Sequence, residues 1–242
     1  LSGRFAEGPA ARGLILSRVI VPAAGGNPAA SRAAIEAVVS MQTGTPVFKS
    51  DKLAGSAWRQ ATKAAEQWNR PGVFTTLHGF EWTSAPGANN LHRTVIFRDN
   101  AERVNQVLPF SAFDSSDPAR LWEYMDAYAK KTGGQVLAIP HNGNLSNGMM
   151  YSAETFDGKP MDRAYAEARA SHEPLLEVTQ IKGDGETTPF LSPTDEFADF
   201  ERWNFDFGKM ARAQDSVLHA NYARSALKLG LELEARLGAN PF

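Results

Sequence analysis

Two residues stand out for the chemistry their types allow. Glu81 lies in Gly79-Phe80-Glu81-Trp82-Thr83-Ser84, and His141 lies in Ile139-Pro140-His141-Asn142. Each sits just beyond a short apolar run that reads as a β-strand. In barrels of parallel strands, side chains at the C-terminal strand ends face a shared site. A carboxylate and a neutral imidazole delivered there suit a hard or borderline divalent ion, and hence a metal-dependent hydrolase. The bland alternatives are a strand-end carboxylate paired with Arg93 and a hydrogen-bonded, half-buried histidine. Spacing alone leaves both open.

Other reactive side chains lie close by in sequence. His92 and Arg93 are neighbours on an apparent strand from Leu91 to Phe97. Strand alternation puts Leu91, Arg93, Val95 and Phe97 on one face and His92, Thr94 and Ile96 on the other. His92 suits a ligand or a general acid. Arg93 suits an oxyanion clamp or a structural ion pair. Asn142, Asn144 and Asn147 crowd the loop after His141, where amides can orient a phosphoryl oxygen or simply serve turn geometry. Glu177 interrupts the apolar run Leu175-Leu176-Glu177-Val178. In the following loop Lys182 can neutralise an anionic substrate, and Glu186 can bind metal or orient a ligand. A solvated loop pair is the alternative. His78, His172 and His219 read as structural. There is no P-loop, GxGxxG, GxSxG or HExxH, which weakens kinase, dinucleotide, α/β-hydrolase and zincin readings.

The elements that would hold these residues follow from periodicity and breakers. Residues 1–43 read as an irregular N-terminal arm with one helix, capped by Asn27 and Pro28. Residues 44–242 read as the main body. Trp58, Ala61, Ala65 and Trp68 mark one face of a helix, which ends at Asn69-Arg70-Pro71-Gly72. Val73 to Phe80 is strand-like. Asp117-Pro118 opens a helix with an apolar stripe of Leu121, Trp122, Met125 and Tyr128, and Gly133-Gly134 closes it. Gln135 to Ile139 is a buried strand. Met161 to Ser171 reads as helix, Pro174 to Ile181 as strand, Thr194 to Trp203 as a short helix and Ala220 to Leu237 as a longer one. That alternation predicts α/β architecture with some parallel pairing.

Composition bounds the rest. Hydrophobic residues make up 43% of the 242, enough for a sizeable core, and the net charge of −2 gives no argument for nucleic acid or anionic membrane. No cysteine is present, so disulfides and thiolate ligands are excluded. No apolar run approaches the roughly 20 residues of a membrane span. The compartment stays open between periplasm and cytoplasm, and a homo-oligomer is allowed.

Taken together, Phe80-Glu81-Trp82-Thr83-Ser84, Asn89-Asn90-Leu91-His92-Arg93, Ile139-Pro140-His141-Asn142, Ile181-Lys182-Gly183 and Asp195-Glu196-Phe197-Ala198 resemble the DUF3604 family. That family is similar to the polymerase-and-histidinol-phosphatase (PHP) metal hydrolases. The resemblance runs from about Gly44 to the last residue. It implies a distorted (β/α)7-type barrel, incomplete in this chain, with two or three divalent ions (Mn, Zn or Fe). It implies hydrolysis of a small anionic phosphoester or phosphonate monoester. Glu81 and His141 then correspond to metal ligands, with Arg93 and Lys182 as catalytic groups. His92, Asn142, Lys182 and Glu186 lie on the substrate side. The family's His-x-His, Asp-His and Asp-x-His motifs are missing from the chain, which therefore reads as the middle of such an enzyme. Gly185 and Thr188 also depart from the family's Ser-Glu-Thr-His loop. A non-catalytic remnant that binds an anion, a glycan or a protein partner is the competing expectation.

Overall fold

The structure, a computed structural model, describes residues 51–203, 205–206, 209 and 211–242. The arm of residues 1–43 and its helix therefore lie outside the described residues. The main elements are α1 (Asp51–Trp68), β1 (His78–Trp82), β2 (Arg93–Phe97), α2 (Ala101–Val104), α3 (Pro118–Thr132), β3 (Val136–Pro140), α4 (Arg163–His172) and α5 (Ala223–Leu237). Two short ribbons, β4 (Thr179–Gln180) with β5 (Gly183–Asp184) and β6 (Phe205–Asp206) with β7 (Ala211–Arg212), lie between α4 and α5.

The expected barrel is not what forms. The central sheet has the order β1-β2-β3 and is antiparallel throughout. Only the short Thr83–His92 loop joins β1 to β2, too short for the helical crossover that parallel strands require. The expected strand Pro174 to Ile181 dissolves into Thr179–Gln180, which folds back on Gly183–Asp184. Pro174 has no N–H to donate, and Gly183 turns the chain at φ 106°. With two unpaired sheet edges among the described residues, there is no closed (β/α)7 ring.

Local sequence explains the helices. Asp117 caps α3 by accepting from the Ala119 N–H at 2.9 Å, and Gly133 ends it in the left-handed region at φ 67°. Leu121, Trp122, Met125 and Tyr128 are buried as the stripe predicts. They pack with Trp58, Val95, Phe97, Val104 and Ala138 into the main core. Burial of each such side chain contributes about 1.5–3 kcal/mol. The face of α1 is rotated from expectation: Trp58 is buried, but Ala61 and Trp68 are exposed. Thr62 lies inside instead, because its hydroxyl is satisfied by Arg59 O and Asn105 Oδ1. The predicted helix from Thr194 to Trp203 is a run of turns. There the Asp195 carboxylate accepts from the Phe197 N–H at 3.0 Å, offering the backbone an alternative to helix.

The sheet has one dry face and one open face. Trp82, Arg93, Val95, Phe97, Ala138 and Pro140 are buried, while Gly79, Glu81 and Thr94 between them are exposed. This alternation decides where the reactive side chains go.

Candidate metal centre

Glu81 lies within β1 rather than beyond it, paired with Thr94 of β2, which in turn pairs with Ile139 of β3. These three residues form one row across the open face. His92 is two residues before Thr94 and His141 two residues after Ile139, so strand parity sends both imidazoles to the same side. The His141 N–H donates to His92 O at 3.4 Å, carrying the ladder one step past the paired strands. The chain thus brings Glu81, His92 and His141 together from three strands.

Their ligand atoms all lie within 4.8 Å of one another. His141 Nε2 is 3.2 Å from Glu81 Oε1, and His92 Nδ1 is 3.0 Å from the same oxygen. The second approach lacks hydrogen-bond alignment, leaving the buried His92 Nδ1 without a directed partner. Four-coordinate zinc, with bonds of about 2.0–2.1 Å, holds its ligand atoms roughly 3.3 Å apart. Both carboxylate–imidazole separations match that edge, and one carboxylate with two imidazoles suits Zn, Mn or Fe. The donor set therefore fits a divalent ion. Thr94 Oγ1 lies 3.5 Å from His141 Nδ1, a contact that keeps Nε2 turned toward Glu81. The carboxylate is half exposed, whereas the imidazoles are largely sheltered. The hydrogen bond from His141 and the His92 imidazole hold the Glu81 carboxyl far below the usual carboxylate range, against the opposing effect of partial burial.

The loop after His141 is built from polar clamps. Asn142 sits in the left-handed region at φ 54°, and its N–H donates to Glu177 Oε1 at 3.0 Å. Gln180 Nε2 donates to both oxygens of the same carboxylate. The Asn142 amide is buried, with neither end hydrogen-bonded. Position 143 must be glycine, since a Cβ there would meet Asn221 O at 2.5 Å. Asn144 Nδ2 donates to the carbonyls of Lys182 and Trp203, fastening the Lys182 loop to the His141 loop. Asn147 adopts φ 51°, as turn chemistry predicts.

Two other expected site residues, Arg93 and Glu186, are engaged elsewhere. Arg93, a candidate oxyanion clamp, points to the dry face and donates from Nε to Glu173 Oε1 at 3.0 Å. It does not reach the triad, because parity opposes it to His92. Glu186 is engaged by Arg224, which also binds Asp195 at 2.8 Å. Lys182 has no ion-pair partner among the described residues. His78 pairs with Glu66, and His172 pairs with Asp126 while stacking on Trp122. Two placements go beyond what the resemblance implies. His92 stands with Glu81 and His141, as its reading as a ligand allowed, rather than on the substrate side, and Glu177 holds the turn at Asn142. The first was accessible from parity, since His92 and Thr94 share a face; the second depends on a tertiary contact with no local signal.

Fold and site together define a mixed α/β protein with a two-histidine, one-carboxylate candidate metal centre on the open face of a small antiparallel sheet. A family model described as a protein of unknown function, DUF3604, matches residues 24–242. The chain belongs to the DUF3604 family. No curated protein and no solved structure matches it. Among the described residues, no helix is long and apolar enough to cross a membrane.

Proposed function

We propose that this chain is the metal-holding part of a hydrolase acting on phosphoesters or phosphonate monoesters. The observation that carries the proposal is the convergence of Glu81, His92 and His141 ligand atoms on an accessible sheet face. The quoted motifs resemble the DUF3604 family, and the likeness of that family to PHP-type hydrolases supports the substrate class. When bound, a divalent cation such as Mn, Zn or Fe acidifies water and polarises a phosphoryl oxygen. Glu81 supplies the anionic ligand, and the neutral imidazoles of His92 and His141 supply lone pairs. Thr94 holds the His141 ring. Lys182, on the loop tied to Asn144, supplies positive charge to a substrate oxyanion. The buried, unpartnered Asn142 amide is a further polar group beside His141. The triad accounts for the protein ligands of one ion; a second or third ion would draw on other residues.

The test is elemental mass spectrometry of the purified protein, paired with turnover of an aryl phosphodiester and an aryl phosphonate monoester. Bound transition metal and turnover, both lost in Glu81→Ala and His141→Ala, are expected. Full metal content in either variant refutes the site. Metal without turnover refutes the hydrolase and leaves a binding protein.

A further inference from the structure

The dry face of the sheet carries a second charged group that the metal centre does not use. Arg93 and Arg169 are both buried, at 1% and 5% exposure, and they share one carboxylate, Glu173. Arg93 Nε lies 3.0 Å and Arg169 Nε 3.3 Å from its oxygens. Trp122 Nε1 donates to the same carboxylate at 2.9 Å. Two guanidinium groups against one carboxylate leave a net charge of +1 away from water. Such a charge is costly unless it is compensated.

The donors of the two arginines are used unequally. Arg93 is spoken for at all three nitrogens, by Glu173 and Leu91 O. Arg169 donates from Nη2 to Met150 O and its Nε is in ion-pair contact with Glu173 at 3.3 Å, but its Nη1 hydrogen-bonds to no described residue. Both arginines line a cavity of about 520 Å³, within the size range of small-ligand sites. Ser152 and Ser216 add hydroxyls to the wall, and Leu91, Phe156 and Leu229 add apolar surface. The carboxylate of Glu154 lines the same cavity but is solvent-exposed. The Tyr151 phenol feels both guanidiniums and Glu173, yet burial pushes it up to about 12, so it stays neutral and compensates nothing. The Arg169 guanidinium also lies over the Phe242 ring, 4.5 Å from its centroid, which offsets part of the charge; the remainder faces the cavity.

We infer that this cavity is a binding site for a small organic oxyanion, a carboxylate or phosphate group with a short apolar body, held through Arg169 Nη1. It lies on the face of β2 opposite to His92 and Thr94, so it is separate from the metal centre and does not depend on the hydrolase proposal. The apolar wall takes the ligand's body, and the serine hydroxyls complete the oxyanion's hydrogen bonds.

The experiment is calorimetric titration of inorganic phosphate into the chelator-treated His141→Ala protein, which removes phosphate binding through metal. Saturable heat at constant ionic strength is expected; its absence overturns the inference. Arg169→Met should weaken binding roughly tenfold or more. Should that variant fail to fold, Ser216→Asp decides, because Ser216 is exposed and its hydroxyl bonds to no described residue. A carboxylate at the cavity wall should also weaken phosphate binding roughly tenfold, and undiminished binding there overturns the site.

Discussion

Replacing Glu173 by glutamine tests the buried ion cluster with almost no change in volume. The side chain is 1% exposed and receives hydrogen bonds from Arg93 and Trp122, with Arg169 in ion-pair contact. Glutamine keeps one acceptor oxygen but removes the charge that two guanidiniums share. Breaking a buried pair in this way costs about 3–5 kcal/mol. The cost falls toward the upper end here because two cations, not one, lose their counter-ion. For a chain of this size each kcal/mol lowers Tm by roughly 2–4 °C, so a fall of about 10 °C or more is expected. Scanning calorimetry with a parallel denaturant melt measures it. The double variant Glu173→Gln/Arg169→Met should recover part of the loss, since it removes one of the stranded charges. A Glu173→Gln protein within about 1 kcal/mol of wild type would refute the argument that the cluster is dry and electrostatically coupled.

Two further outcomes follow from the same geometry. Gly143→Ala places a methyl 2.5 Å from Asn221 O and 2.7 Å from Tyr151 Cε2; it should cost about 1–3 kcal/mol by overpacking and weaken metal binding by displacing His141, both read by melting with and without Zn. Acid should destabilise the protein through its depressed carboxylates. Burial raises Glu173, but Arg93 and Arg169 outweigh it, and the net shift is downward, as it is for Glu81. The stability each contributes is complete above the ordinary value of 4.5 and is lost as pH falls from there through the folded value. Tm should thus stay level from neutral pH to about 5 and drop below 4.5; a Tm that holds level below that point would contradict the assignment.

What the sequence made legible was local. Asp117-Pro118 and Gly133-Gly134 bracket α3 because capping and left-handed glycine act within a turn of the chain. Alternation along Leu91 to Phe97 correctly separated Arg93 from His92, and residue type beside apolar runs singled out Glu81 and His141, which the structure brings together with His92. Strand direction was not legible. A helix-and-strand alternation is compatible with either pairing, and only the short connection between β1 and β2 forces the antiparallel choice. Pro174 to Ile181 has the alternation of a strand, but its backbone finds separate partners at Pro140 O and Gly185 N–H rather than a ladder. The fate of Glu186 was equally hidden, since Arg224 is 38 residues away in sequence.

The strand β2 is where the two halves of the molecule meet. His92 and Thr94 contribute to the open face, and Arg93, between them, enters the dry face. Each face treats a carboxylate differently. Glu81 meets imidazoles whose lone pairs can be redirected to a cation, at a place where half of the carboxylate is open to solvent. Glu173 meets guanidiniums that cannot give up their charge, and its carboxylate is buried. Only the first arrangement can exchange its partners for an ion without first exposing a buried charge. The candidate metal centre therefore belongs to the Glu81 face by accessibility and ligand chemistry, while the guanidiniums of the other face fix the sheet's register and retain the positive charge that the oxyanion proposal uses. A one-residue slip of β2 would reverse both roles at once, driving Arg93 into solvent and His92 into the core. The cost of burying the wrong residue on each face keeps the imidazole beside the carboxylate it needs.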